Sequence, residues 1–352
     1  MKNPLNKRYF RELKNDFGKY IALCLFLIVT IGFCSGFLVA DGSTKGAYDE
    51  SFEKYNIEDG HFILAIGQLF YKDVDRKNNH TIRLYKNRTK VNKACLMDGN
   101  MPKADDEIAI DRLYGENNNI VIGDKIDIGN KDYKVTAYIA LSDYSALFKN
   151  NTDMMFDANK FSVAIVTDKA FDDVETEAKY CYTWNYTSDS EKNMSDKQLT
   201  KKSEKIQDIL TESGLLTDYV LQRDNQAINF TGEDMGGDMV MVMVLLYIVM
   251  AIIAFVFGIT TRNTIEQEAG AIGTLRASGY TKQEMVRHYF VLPALITFIA
   301  AVIGNILGYT VMKFYVASMY YGSYSLPTYV TKWNADAFIL TTVIPCIIVF
   351  VV

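Results

Sequence analysis

Two long apolar runs enclose a short polar segment, Thr260 to Tyr289, and this arrangement constrains the chain more than any other feature. Met239 to Ile259 precedes the segment and Phe290 to Phe314 follows it, both nearly free of charge. Each run holds about 20 residues or more, enough for a helix to cross about 30 Å of hydrocarbon. The segment between them, TTRNTIEQEAGAIGTLRASGYTKQEMVRHY, is then a tight loop between two membrane spans. It is too short for a domain yet rich in specific residues, and it reads as a place where another protein docks.

The average hydropathy of the chain is near zero, which hides its patterning. Of 352 residues 49% are hydrophobic, but they concentrate in four runs, and the stretch between the first two runs is polar and acidic. The expected class is therefore an α-helical membrane protein of four transmembrane helices, with an α+β extracellular domain inserted between helices one and two. A net charge of -5 argues against a nucleic-acid partner, which would favour a basic face. The five cysteines form no CxxC and no Cys/His cluster, so no zinc site is indicated. Cys95 and Cys181 can pair if their domain faces an oxidising space, but a sequence does not place their Cβ atoms.

Residues 1–19 read as a cytoplasmic amphipathic helix. Asn3 caps it, Pro4 suits its first turn, and Leu5, Tyr9, Leu13 and Phe17 form an apolar stripe among Lys7, Arg8, Arg11 and Lys14. A basic helix of this kind lies in the headgroup layer, and its charge places the N-terminus in the cytoplasm. Residues 20–40 form the first span. The run is longer than the roughly 7–15 apolar residues of a signal peptide, and a retained anchor is the expectation. Gly32 and Gly36 form a GxxxG that lets a second helix approach closely.

Residues 41–238 form the outer domain. His61–Ile66, Thr81–Tyr85, Val91–Met97, Phe161–Thr167 and Tyr180–Tyr186 are expected strands. The clearest element is Asp124–Ile139, where alternating residues flank the two-residue turn Gly129-Asn130. Ser195–Ser213 is an expected helix, capped by Ser195 and stopped by Gly214. Asp111–Asn119 and Ser188–Asn193 are expected loops. Gly236-Gly237 reads either as a hinge or as a plain linker before the second span, residues 239–259.

After the loop at 260–289, the third span covers 290–314, with Pro293 expected to disturb its first turns. Gly304 and Gly308 make a second GxxxG, and Asn305 between them is expected to hydrogen-bond a neighbouring helix. Residues 315–334 form an aromatic-rich extracellular loop, as suits a membrane interface. Residues 335–352 begin a fourth apolar run with no charged residue closing it, so the chain is expected to continue in a longer protein.

Within the loop, Arg262, Arg276, Lys282 and Arg287 lie among Glu266, Glu268 and Glu284. Gly270, Gly273 and Gly279 are expected to interrupt a continuous helix. The expected form is an extension of the second span, a bend, and a short surface helix presenting Leu275, Arg276 and Ala277 to a groove on a partner. Thr281 and Glu284 have the spacing of a capping box for the next helix.

At this point the sequence resembles a family. Ile272–Tyr289, IGTLRASGYTKQEMVRHY, looks like the signature of the FtsX-like (MacB-type) ABC transporter permeases, and its Gly279-Tyr280 form is similar to the large permeases of Gram-positive bacteria. KRYFRELKNDFGKYIAL near the start, and MDGNMPKADDEIAIDRLY with IGDKIDIGNKDYKVTAYIA in the outer domain, are similar to other parts of that family's pattern. The family has an acid directly before its Ile-Gly, where this chain has Ala271; Glu266 or Glu268 would have to serve instead.

The resemblance implies a permease subunit in the bacterial cell membrane, multi-pass, working with a separate ABC ATPase. A second permease copy or a homologous half would complete the pair. The coupling surface it implies comprises Arg262, Glu266, Glu268, Gly270, Ile272, Gly273, Leu275, Arg276, Ala277, Gly279 and Tyr280. Gly32, Gly36, Gly304, Asn305 and Gly308 are the expected helix-packing positions. The chain holds no GxxxxGK[ST], so ATP would be bound by the partner and no cofactor is expected here. The implied work is export, extraction or control of the cell envelope.

Two other classes compete. A membrane-anchored extracellular receptor or sensor without an ATPase would share the outer domain but would not need this loop. An ectoenzyme is disfavoured, because the chain has only His61, His80 and His288 and carries neither HExxH nor GxSxG. The pairs Asp105-Asp106 and Asp172-Asp173 read as solvated loop charge. The sequence leaves the substrate unidentified.

Overall fold

A computed structural model describes residues 9, 13–14, 17–76, 79–176, 178–188, 194–212 and 214–351. Most of the expected N-terminal helix, positions 189–193 of the expected Ser188–Asn193 loop, and Ser213 lie outside the described residues. In chain order the elements are α1 (Phe17–Lys54), β1 (Gly60–Arg76), β2 (His80–Lys86), β3 (Cys95–Gly99), β4 (Glu107–Asp111) and α2 (Arg112–Asn117). They continue with β5 (Lys125–Ile128), β6 (Lys131–Ala140), β7 (Phe161–Val166), α3 (Asp168–Asp172), β8 (Ala178–Trp184), α4 (Asp196–Glu212) and β9 (Leu216–Leu221). The C-terminal part holds α5 (Gln226–Gln267), α6 (Ala269–Ala277), α7 (Lys282–Leu307), α8 (Lys313–Ser323), α9 (Ala335–Phe338) and α10 (Ile344–Val351). A π-helical segment, Gly308–Met312, joins α7 to α8, and another, Ile339–Val343, joins α9 to α10.

The chain divides into two compact units. One comprises Met1–Ser43, Gly236–Ser318 and Thr331–Val352; the other comprises Thr44–Met235 and Met319–Val330.

In the helical unit, composition sets the environment. Among the described residues, three helices are long and apolar enough to cross a membrane: Phe17–Lys54, Gln226–Gln267 and the continuous run Lys282–Ser323; the apolar helix Ala335–Ile348 is shorter. At about 1.5 Å per residue, the 42 residues of α5 extend about 63 Å, roughly twice the hydrocarbon thickness. Large apolar side chains stand open along these helices, among them Val244 at 53% exposed, Phe255 at 68% and Phe298 at 56%. Helices that are apolar on every side belong in a membrane, where lipid covers what the protein does not. Inside the unit, Leu27 and Ile31 of α1 pack with Ile253 and Phe257 of α5 and with Ala300 and Ala301 of α7.

Several boundaries differ from the sequence reading. The Gly236-Gly237 pair lies inside α5 with no break, so neither hinge nor linker interrupts the helix. The third apolar helix runs past Phe314 to Ser323, and the aromatic segment after it is shorter than expected. Pro293 sits inside an unbroken α7 and is buried there.

The second unit is built on a nine-stranded mixed sheet in the order β3-β6-β4-β7-β2-β1-β8, with β5 paired to β6 and β9 paired to β1. The pairs β2/β7 and β4/β6 are parallel and the rest antiparallel. Central strands β2 and β7 read as continuous buried runs, TIRLY and FSVAIV, because both their faces are covered. Ile82, Leu84, Ile108, Ile110, Val135, Ile139 and Val163 form the core, each contributing about 1.5–3 kcal/mol by burial. The hairpin β5–β6 follows its sequence signal, since Gly129 at φ 59 and Asn130 at φ 64 supply the two positive φ values of a type I′ turn. Cys95 and Cys181 are both free thiols.

The expected loop at Asp111–Asn119 contains a helix instead. Asp111 caps α2, its Oδ1 accepting from Leu113 N at 2.9 Å and Tyr114 N at 3.2 Å. Arg112 donates to the carbonyls of Tyr321 at 2.7 Å and Tyr324 at 3.0 Å. Ser325 donates to Asp111 Oδ2. These partners lie about two hundred residues away, and the helix exists because of them.

Candidate functional site

The polar segment between α5 and α7 folds as two turns of helix with a defined stop at each end. Helix α5 continues to Gln267, where Arg262 and Glu266 form an exposed ion pair at 2.8 Å. Glu268 is the N-cap residue of α6, and the Tyr289 hydroxyl of α7 donates to its carboxylate. The other end of α6 closes in a Schellman arrangement. Tyr280 N–H donates to Leu275 O at 3.2 Å and Gly279 N–H to Arg276 O at 3.1 Å. The residue between helix and turn must be left-handed, and Gly279 has φ +100, where a side chain would be strained.

Thr281 then starts α7 with a reciprocal capping box. Its N–H donates to Glu284 Oε2 at 2.8 Å, and Glu284 N–H donates to Thr281 Oγ1 at 3.3 Å. The end of one helix and the start of the next are thus fixed within four residues, Ser278 to Thr281. Gly270 and Gly273 lie inside α6 and do not break it; only Gly279 does so. The reason is that both are helical in φ and the helix around them is held from its two ends.

Helix α6 has no buried residue. Ile272 and Leu275 are half-buried, while Gly270, Gly273, Arg276 and Ala277 are exposed. A Cβ built on Gly270 or Gly273 meets nothing within 4 Å. Beside the loop, the start of α7 is seated firmly: His288 is buried, and its ring lies 4.5 Å from that of Tyr9. Lys19 of α1 donates to Thr264 of α5 at 3.5 Å. The Glu268–Tyr289 and Lys19–Thr264 contacts were not legible in the sequence, because nothing in local spacing pairs residues so far apart.

The helix-packing positions converge elsewhere in the same unit. A Cβ on Gly32 would stand 3.3 Å from Gly304 O, and one on Gly304 would stand 2.8 Å from Ile31 Cγ2. A Cβ on Gly36 would clash with Met312 Cβ, and one on Gly308 would meet Ser35 Oγ at 2.7 Å. The two GxxxG motifs therefore form one seam between α1 and the α7–α8 run. Asn305 sits in this seam and uses all its amide capacity. Its Oδ1 accepts from Ser35 and from Thr341, both at 2.9 Å, and its Nδ2 donates to Ala301 O and Thr342 Oγ1, both at 2.9 Å. One buried amide thus ties α1, α7 and the Ile339–Val343 segment together.

Long apolar helices with exposed apolar side chains, a mixed sheet unit between the first and the later ones, and a structured polar turn define a multi-span membrane protein with an appended α+β domain. Residues 243–352 match the family model described as FtsX-like permease C-terminal. The likeness to FtsX-like permeases thus covers the C-terminal part of the chain, from α5 onward. No curated protein matches it.

Proposed function

We propose that the chain is the non-catalytic membrane subunit of an ABC transporter, and that a separate ATPase docks on residues 260–289. In this reading the N-terminus and the loop face the cytoplasm, the sheet unit lies outside the cell, and the apolar helix from Ala335 is a fourth span. ATP is held by the partner, and a second permease copy or homologous half completes the assembly. Closure of the ATPase pushes α6, and α5 carries the displacement toward the sheet unit to drive export, extraction or envelope control. Arg262, Glu266, Glu268, Gly270, Ile272, Gly273, Leu275, Arg276, Ala277, Gly279 and Tyr280 form the docking surface.

The observation that carries this reading is α6 itself. Its C-terminal end closes on Gly279, Glu268 just before it is tied to α7 by Tyr289, and yet none of its residues is fully buried. Ordering a helix at a cost of about 1–2 kcal/mol per residue while leaving Ile272 and Leu275 only half-buried points to a partner that covers them. The test is co-purification of the chain from membranes with a candidate ABC ATPase from the same source, following ATP hydrolysis. The wild type is expected to retain the ATPase. A Leu275→Asp/Arg276→Glu variant is expected to insert normally and to lose it, with affinity at least about tenfold weaker. Retention that ignores the loop, or no retention by the wild type, transfers support to a receptor without an ATPase.

A further inference from the structure

We propose that a cavity in the sheet unit binds a small neutral polyhydroxyl molecule of saccharide size. The cavity measures about 340 Å³, at the lower end of the roughly 300–1,000 Å³ range of small-molecule sites. It is lined by Glu58, His61, Arg83, Asp143 and Tyr144, among others, with Lys149 and Asp218 at its exposed edge.

The charges facing the cavity are already matched. Arg83 of β2 makes a two-pronged contact with Asp73, its direct cross-strand neighbour on β1, at 2.7 and 2.8 Å. Asp143 accepts from both terminal nitrogens of Arg88, at 2.5 and 2.9 Å. Glu58 takes His61 on one oxygen at 2.6 Å and Asn92 on the other at 2.7 Å. Burial pushes the Glu58 carboxyl up, but His61, Asn92 and Arg88 together hold it below its usual range; burial pushes His61 down, and Glu58, Asp218 and Asp143 together hold it above. A buried charge without a partner costs several kcal/mol, so this closed set offers no counter-ion to a ligand carrying net charge. Lys149 and Asp218, the exposed pair, contribute one charge of each sign.

What the wall retains is hydrogen-bonding capacity of both kinds. The Tyr144 hydroxyl accepts from Arg83 at 2.9 Å and from Tyr85 at 2.8 Å, which leaves its own proton to donate. Burial pushes both phenols above their usual values, so both stay protonated. Asn225 has its Oδ1 taken by Ala227 N–H at 3.1 Å, leaving its amide NH₂ as a donor. The carboxylates of Glu58 and Asp143 keep second lone pairs as acceptors. Ile63, Tyr71 and Phe148 place apolar surface between these polar groups. A ligand matched to such a wall is uncharged, donates and accepts at the same atoms, and carries a compact carbon frame. Hydroxyls on a sugar ring satisfy each condition. A ligand with net charge would bring a charge that no buried group answers, a zwitterionic amino acid or peptide would find opposite charges only at the exposed edge, and a lipid tail would leave the polar wall unpaired.

The test uses the full chain in nanodiscs, without an ATPase, so that it stands apart from the coupling reading. Glucose, galactose, N-acetylglucosamine and maltose are titrated by saturation-transfer NMR and calorimetry, against glutamate, lysine and diglycine. At least one sugar is expected to bind saturably while the charged probes do not. Tyr144→Phe, which removes the donor, is expected to weaken binding about tenfold. Thr152→Trp, an exposed lining residue whose change leaves the buried groups untouched, is expected to block entry to a similar degree in a chain that melts like wild type. Binding of none of the four sugars, preference for a charged probe, or sugar binding indifferent to both variants overturns the proposal.

Discussion

The glycines of the helix seam and the glycines of the loop helix sit in opposite surroundings. A Cβ on Gly304 or Gly308 would come within 2.9 Å or less of the first membrane helix, whereas a Cβ on Gly270 or Gly273 would meet nothing within 4 Å. The residue type is the same and so is the helical backbone. At the seam, glycine is required by the chain's own fold, because two backbones approach one another. In the loop, the fold makes no such demand. The space over α6 is then set either by nothing or by something outside the chain, and the proposed ATPase is that second body.

The largest expected effect falls on the seam. Gly308→Val would drive a branched side chain into Ser35 Oγ, Ser35 Cβ and Gly36 N, all within 2.9 Å of its Cβ. The last of these is backbone and has no rotamer to retreat to. A loss of about 2–3 kcal/mol is expected, read as a lowered melting temperature of the detergent-purified chain. An unchanged melting temperature would mean that α1 and α7 are not held at this spacing, and the contrast between the two sets of glycines would collapse.

Asn305→Leu sharpens the same contrast at smaller cost. It removes the acceptor of the Ser35 hydroxyl and the donor to Thr342, while Thr341 keeps the Ala337 carbonyl at 2.6 Å. Hydrogen bonds between membrane helices contribute about 0.6–2 kcal/mol, so a destabilisation of about 1–2 kcal/mol is expected. Combining it with Ser35→Ala should cost less than the sum of the single changes, because the two share one bond. Strict additivity in thermal unfolding would show that Asn305 does not act through Ser35.

Features that depend on neighbouring residues were legible in the sequence: the β5–β6 hairpin, the Gly214 stop after α4, and the Thr281/Glu284 capping box. Each rests on a spacing of a few residues. Each GxxxG was legible too, but not that the two face each other. Elements that depend on distant partners were not legible. Helix α2 has only six residues with Gly115 in its middle, and it is held by Tyr321, Tyr324 and Ser325. Strand β1 was expected to end at Ile66, yet it runs to Arg76 because Tyr71–Arg76 pair with β2. The cavity wall is the extreme case. Arg88 and Asp143 lie 55 residues apart, and no local pattern joins them. In the candidate loop the interrupting glycine was visible, but Gly270 and Gly273 were misread as breakers, because composition does not reveal that a helix is braced at both ends.

The smallest effect on the fold is the most informative about the loop. Gly273→Ala adds a methyl group that no atom of the chain opposes. Alanine favours a helix interior over glycine by about 0.5–1 kcal/mol, so α6 should become slightly more stable and its amides should exchange more slowly. The seam variants lose stability and lose partner binding only as a consequence. Gly273→Ala should separate the two: melting temperature unchanged or raised, ATPase retention reduced, because the added methyl meets only the docked partner. If ATPase retention also stays unchanged, the partner does not approach α6 at this position. The contact would then have to rest on Leu275 and Arg276 at the other end of the helix, and the open space over Gly273 would carry no functional meaning.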